Sequence, residues 1–149
     1  MEIIKVKIND VSNLRDELNT LYDKATHKQV AEYSVLLARH ILKIMSFQTN
    51  EVLEEGFKMN NDWQKELVRM HDVRQAAIKI HKLARESDNE VSKLIYRTIG
   101  QAVASGHMKE HGMVASDYAI KLTNIIYPNN LEKVREERMN QICFMKSVL

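Results

Sequence analysis

Apolar residues recur every three or four positions along most of this chain. Val30, Tyr33, Leu37, Ile41 and Ile44 make one such stripe, and Val73, Ala77, Ile80 and Ala84 make another. That spacing puts each set on one face of an α-helix, at about 100° per residue. Helix starts carry capping-box sequences at Thr26 to Gln29 (THKQ), Asn61 to Gln64 (NDWQ), Asp72 to Gln75 (DVRQ) and Ser87 to Glu90 (SDNE). In each, an N-cap oxygen takes an orphan amide and a Gln or Glu three residues on reaches back. Pro128 closes one helix, and Asn129 or Asn130 opens the last. The pattern predicts helices over 11–24, 27–46, 50–59, 62–70, 73–86, 88–105, 107–127 and 130–147. Each is too short to be stable alone and must bury its stripe against neighbours. With no linker, composition shift or internal repeat, residues 1–149 read as one all-α domain, a bundle of about six to eight helices.

One segment departs from the helical period. Ile3 to Ile8 (IIKVKI) alternates, with Ile4, Val6 and Ile8 on one side. A lone strand cannot satisfy its own backbone, and no partner strand is evident elsewhere. The segment is therefore an extended arm over residues 1–9, lying on the bundle or pairing with its copy in a second subunit to make a homodimer.

Composition agrees with a folded helical protein: 44% apolar and 28% charged residues, with one proline and four glycines. The N-terminal stretch MEIIKVKIND lacks the long apolar run of a signal peptide, and no window reaches the roughly 18 apolar residues of a membrane span. A lone cysteine, Cys143, cannot form an internal disulfide and reads as a small apolar residue of the last helix. Together these predict a soluble, cytoplasmic protein with no membrane partner. The net charge is +2, and basic and acidic residues are interspersed. A nucleic-acid binder needs a denser basic block, so nucleic acid is not the expected partner.

The stretch GHMKEH (Gly106 to His111) raises a chemical question, because His107 and His111 are four apart with Glu110 between them. This is the H-x-x-E-H spacing of one class of zinc proteases. On a helix over 107–127 both histidines share a face with Val114, Ala115, Tyr118, Leu122 and Ile125, while Glu110 and Asp117 lie on its border. Zinc needs a third ligand with an ordered surround. The acids that follow, Glu132, Glu136 and Glu137, read as a solvated helix face. The expectation is therefore no cofactor and no catalytic residue. His107 and His111 are read as core or pocket histidines, and zinc held by His107, His111 and Glu110 is the alternative. The glycine- and alanine-rich sequence around them, GQAVASG and GMVAS, predicts either close helix contact or a backbone break near Gly106. Arg74, Ile78, His81 and Arg85 form a basic edge on the helix over 73–86, either a solvated flank or a site for an acidic partner or phosphate. There is no Walker-type loop, no G-x-S-x-G and no Cys/His nucleophile pair.

The stretches DVRQAAIKIHKLARESD and IGQAVASGHMKEHGMVASDYAIK resemble the bacterial putative immunity proteins, small all-helical partners of polymorphic toxins. The likeness is most specific over residues 70–128, weaker over 27–66, and slight in the N-terminal arm and the last helix. Carried onto this chain, it implies signature positions at Arg74, Arg97, Gly100, His107, His111, Tyr118 and Ala119. Many relatives place a histidine where this chain has Gln101, which argues against a three-histidine cluster. The resemblance implies a non-enzymatic role, binding and neutralising a cognate protein toxin. Mimicry of nucleic acid calls for an acidic surface, so the slightly basic balance argues against a nuclease as that toxin. The competing reading is a helical metal-binding protein or metal-dependent hydrolase using His107 and His111.

Overall fold

The computed structural model describes residues 6–149. Among them the chain forms seven α-helices and no strand: α1 Ser12–Lys24, α2 His27–Ile44, α3 Glu51–Gln64, α4 Met70–Arg85, α5 Glu90–Ala104, α6 His111–Ile126 and α7 Leu131–Val148. This is the all-α multi-helix bundle that the periodicity predicts. α5 runs along α4 on one side and α6 on the other, α1 pairs with α7, and α2 lies across α3, α5, α6 and α7. The stripes meet in a core that includes Leu18, Tyr33, Leu37, Phe57, Ile80, Ile99 and Met113, all essentially without solvent exposure.

Local chemistry sets several helix starts. Thr26 Oγ1 accepts from the Gln29 amide at 3.1 Å, and Gln29 Oε1 accepts from the Thr26 amide at 2.9 Å, a complete capping box. Asn50, Asn89 and Asn130 cap α3, α5 and α7 through their side-chain oxygens. In the last two cases the cap falls within or beside the predicted stretch, Asn89 in place of Ser87 and Asn130 after Pro128.

Two predicted starts are corrected. The helices expected over 50–59 and 62–70 are replaced by the single α3, and NDWQ lies in its last turns rather than capping a new one. Here tertiary packing overrides the local signal, because Asn60 is buried and donates to the carbonyl of Val103 on α5 at 3.0 Å. Lys58 also bridges to Asp62 across one turn. The helix ends where Glu66 adopts φ 62°, and α4 starts at Met70. Asp72 is thus not an N-cap. It sits at the third helical position, and its carboxylate accepts from the Arg69 amide at 3.0 Å.

The N-terminal arm is tied down at its near end. Asn9 donates its amide to Asn124 Oδ1 at 2.8 Å, and Asn124 Nδ2 donates back to the Asn9 carbonyl at 3.0 Å. A side-chain amide of α6 thereby stands in for a strand partner, and Val6 is buried against the bundle. The rest of the arm, residues 1–5, lies outside the described residues.

Where α1, α6 and α7 meet, the interior is polar. Arg15 forms a two-point contact with Asp117, at 3.1 and 2.9 Å. Arg138, with no solvent exposure, grips Asp10 at 3.0 and 2.7 Å and Asp117 at 2.7 Å, and bonds Gln141 at 2.8 Å. Burial works against the charge on Arg138, but Asp10 and Asp117 outweigh it and raise its pKa. Asp117 is therefore not on a helix border beside Glu110: it is 2% exposed and joins three helices. Glu137 is likewise not solvated, since it is buried and paired with His40 at 3.0 Å.

Candidate functional site

The site is built on the seam of α4, α5 and α6, and begins with a missing side chain. Gly100 on α5 is buried under the imidazole of His81 on α4. A Cβ at position 100 would lie 2.7 Å from His81 Cε1 and 2.9 Å from Nε2, so only glycine lets the ring lie flat on the helix there. Close approach recurs at Gly112, where a Cβ would meet Val30 Cγ1 of α2 at 2.5 Å. Both outcomes expected from the small residues occur: tight helix contact at Gly100 and Gly112, and a break at the end of α5.

One turn before Gly100, Arg97 donates from Nη1 to His81 Nδ1 at 3.0 Å. Arginine has no acceptor, so Nδ1 is the lone-pair nitrogen and the ring proton is on Nε2. Burial, together with the nearby charges of Arg97, His111 and Arg85, pushes His81 down to about 4. At neutral pH the ring is an uncharged acceptor. One turn after Arg97, Gln101 Oε1 accepts from His111 Nδ1 at 2.7 Å. Ile78, His81 and Arg85 of α4, Arg97 and Gln101 of α5, and Tyr118 of α6 line an open pocket of about 350 Å³. Larger clefts exist, such as that beside Glu51, Glu54, Glu55, Lys58 and Lys79. There the walls carry both signs of charge, so size does not select the site.

Of the residues singled out in the sequence, His81, Arg97, Gly100 and Tyr118 converge here, with His111 joined through Gln101. Arg74 is exposed on α4 and outside the pocket wall. Ala119 is buried in the core. His107 requires a correction: α6 begins at His111, so His107 lies in the connection after α5 and the two histidines are not one helical face. The chain turns because the amides of His107 and Met108 both bond to the Ala104 carbonyl, at 2.8 and 3.0 Å. The rings still meet, stacked at 28° with centroids 6.1 Å apart. Glu110 is exposed at the start of α6. Among the described residues no three His, Cys, Asp or Glu side chains form a group that could hold a metal. Gln101 was missed as a site residue, although it lies four positions from Arg97 and so on the same helix face.

No helix among the described residues is long and apolar enough to cross a membrane. Comparison with curated proteins and with solved structures gives no match. The family model described as "Imm-5 like putative immunity protein" matches residues 20–147. The match runs through all but the last residue of α7, so the last helix is part of the likeness that the sequence reading placed chiefly over residues 70–128. It covers α2 to α6 in full, including every residue of the pocket, and on that extent the chain belongs to the Imm-5 like putative immunity protein family.

Proposed function

We propose that this chain is a toxin-neutralising protein that acts by binding rather than catalysis. The observation that carries the reading is the family match over residues 20–147. The physical character of the site agrees with it. Three of the pocket's polar groups are held by hydrogen bonds, Arg97 to His81 and Gln101 to His111, which suits recognition by a pre-formed surface. His81, the histidine of the pocket lining, is committed through Nδ1 to Arg97 and covered on one face by Gly100. The pocket lining holds no Ser, Thr or Cys for it to activate, and its one hydroxyl is the phenol of Tyr118.

The metal-site alternative gains no support from the arrangement of its residues. His111 Nδ1 is engaged by Gln101, Glu110 is exposed, and the two imidazoles stack. The reading expects a toxin gene beside the gene for this chain, and its test is co-expression of the two. Growth should be restored, and the two proteins should purify as a stoichiometric complex. Continued growth arrest with no complex would remove the reading. Metal analysis of the untagged protein separates the alternative, since stoichiometric zinc lost in a folded His111→Ala variant would favour a metalloprotein.

A further inference from the structure

We propose that the pocket between α4, α5 and α6 is the seat of a carboxylate side chain from the partner protein, held between Arg85 and Arg97. This deepens the toxin-binding reading and rests on it for the identity of the partner. The first observation is a contrast in how arginines are paired. Arg15, Arg39, Arg69 and Arg138 each have a carboxylate partner within the chain. Among the described residues Arg74, Arg85, Arg97 and Arg135 have none, and of these four Arg85 and Arg97 share the pocket. The six side chains around the pocket include two guanidinium groups and no acid.

The second observation is how Arg97 is positioned. Its Nη1 is fixed by His81, a ring that is itself pinned against Gly100. A carboxylate acceptor in that place would fix the arginine and cancel its charge. A neutral imidazole fixes it and leaves the charge in place, and among the described residues the other guanidinium N–H groups have no hydrogen-bond partner. Burial is the main cause that lowers the His81 pKa, and the charges of Arg97, His111 and Arg85 add to it. The third observation concerns size and setting. Ile78 and Tyr118 give the pocket an apolar wall and a phenol beside the two arginines, a setting for one compact planar anion. A nucleic-acid backbone would need a longer basic track, and the whole chain carries only +2. In a protein partner, the compact planar anion is the carboxylate of Asp or Glu.

The experiment uses the isotope-labelled full chain at low ionic strength and three additions: hexaglutamate peptide, inorganic phosphate, and potassium chloride matched in ionic strength. Hexaglutamate should move the Arg85 and Arg97 Nε–H signals and raise the titration midpoint of His81, while potassium chloride does neither. Arg85→Gln should weaken the effect about tenfold, the loss of one charge-assisted hydrogen bond. Arg97→Gln should weaken it at least as much, and Arg85, being exposed, keeps the test valid should the Arg97 variant fold poorly. Equal responses to hexaglutamate and potassium chloride would overturn the proposal, as would a response to phosphate alone or an Arg85→Gln variant that binds unchanged. Failure of the two readings is distinguishable. A toxin complex indifferent to Arg85→Glu overturns the carboxylate seat and leaves the immunity reading standing. Hexaglutamate binding without toxin neutralisation keeps an anion seat and overturns its assignment to a toxin.

Discussion

Two groups of arginines in this molecule solve the same problem in opposite ways. At the junction of α1, α6 and α7, Arg15 and Arg138 are buried and surrounded by Asp10 and Asp117. At the seam of α4, α5 and α6, Arg97 is half-buried and its partner is the uncharged His81. The first arrangement cancels charge, as a guanidinium removed from water requires, and fastens distant parts of the chain together. The second fixes a side chain while leaving its charge to act outward. The difference separates an arginine that stabilises the fold from one available to a partner, a distinction that residue type and burial alone do not provide.

The comparison breaks first, and most severely, at Asp117. Its removal in Asp117→Ala leaves both Arg15 and Arg138 short of a carboxylate in a site that excludes water. The expected cost is about 3–5 kcal/mol, or outright unfolding, by chemical denaturation at neutral pH. A loss below about 1 kcal/mol, the range of an exposed ion pair, would mean that the cluster does not hold α1 and α7 to α6.

Next in size is Gly100→Leu. The new side chain must occupy the space of the His81 ring, with a cost of about 1–3 kcal/mol from overpacking. The same substitution should release Arg97 from His81, visible as altered Arg97 and His81 signals in NMR spectra. An unchanged thermal melt would show that the ring moves aside freely and that Arg97 is not held by this packing.

How much of this contrast was legible in sequence follows from the range of each interaction. Thr26 and Gln29 are three residues apart, and their capping box was read correctly because nothing distant competes with it. The same logic failed at Asn61 to Gln64, where Asn60 bonds across 43 positions to Val103 and the helix continues. The four-and-three spacing of Arg74, Ile78, His81 and Arg85 marked one wall of the pocket in its last three members, with Arg74 outside it. That His81 would fold over Gly100 and serve Arg97 depends on the packing of α4 on α5, which spacing along one helix does not encode. Asp117 and Arg15 are separated by 102 positions, and Asp117 therefore looked like a border residue. The His107–His111 pair was seen but misplaced, because the helix start at residue 111 follows from the turn that closes α5.

A smaller effect comes from pH. His81 is held down to about 4 in the folded chain against about 6.5 when unfolded. The folded state thus binds fewer protons than the unfolded state between these values, and stability declines as pH falls from about 6.5 toward 4. Above pH 6.5 the ring is neutral in both states and contributes no pH dependence. His81→Gln should remove this share of the acid sensitivity, so the stability difference between parent and variant shifts toward the variant as pH drops through that window. Denaturation curves at pH 7 and pH 4.5 measure it, and parallel losses in both proteins would show that His81 titrates normally in the folded chain.

The smallest predicted change is the one that sharpens the contrast most. Arg85 is exposed, and among the described residues it has no carboxylate partner. Replacing it in Arg85→Gln breaks no hydrogen bond or ion pair among the described residues and removes a like charge from the vicinity of His81. Stability should stay within about 0.5 kcal/mol of the parent. The His81 titration should move upward, because one of the charges that disfavours imidazolium is gone. Unchanged stability with a raised His81 midpoint is the signature of an arginine kept for what lies outside the fold. A loss of several kcal/mol would instead place Arg85 with Arg15 and Arg138, among the arginines that hold the bundle together.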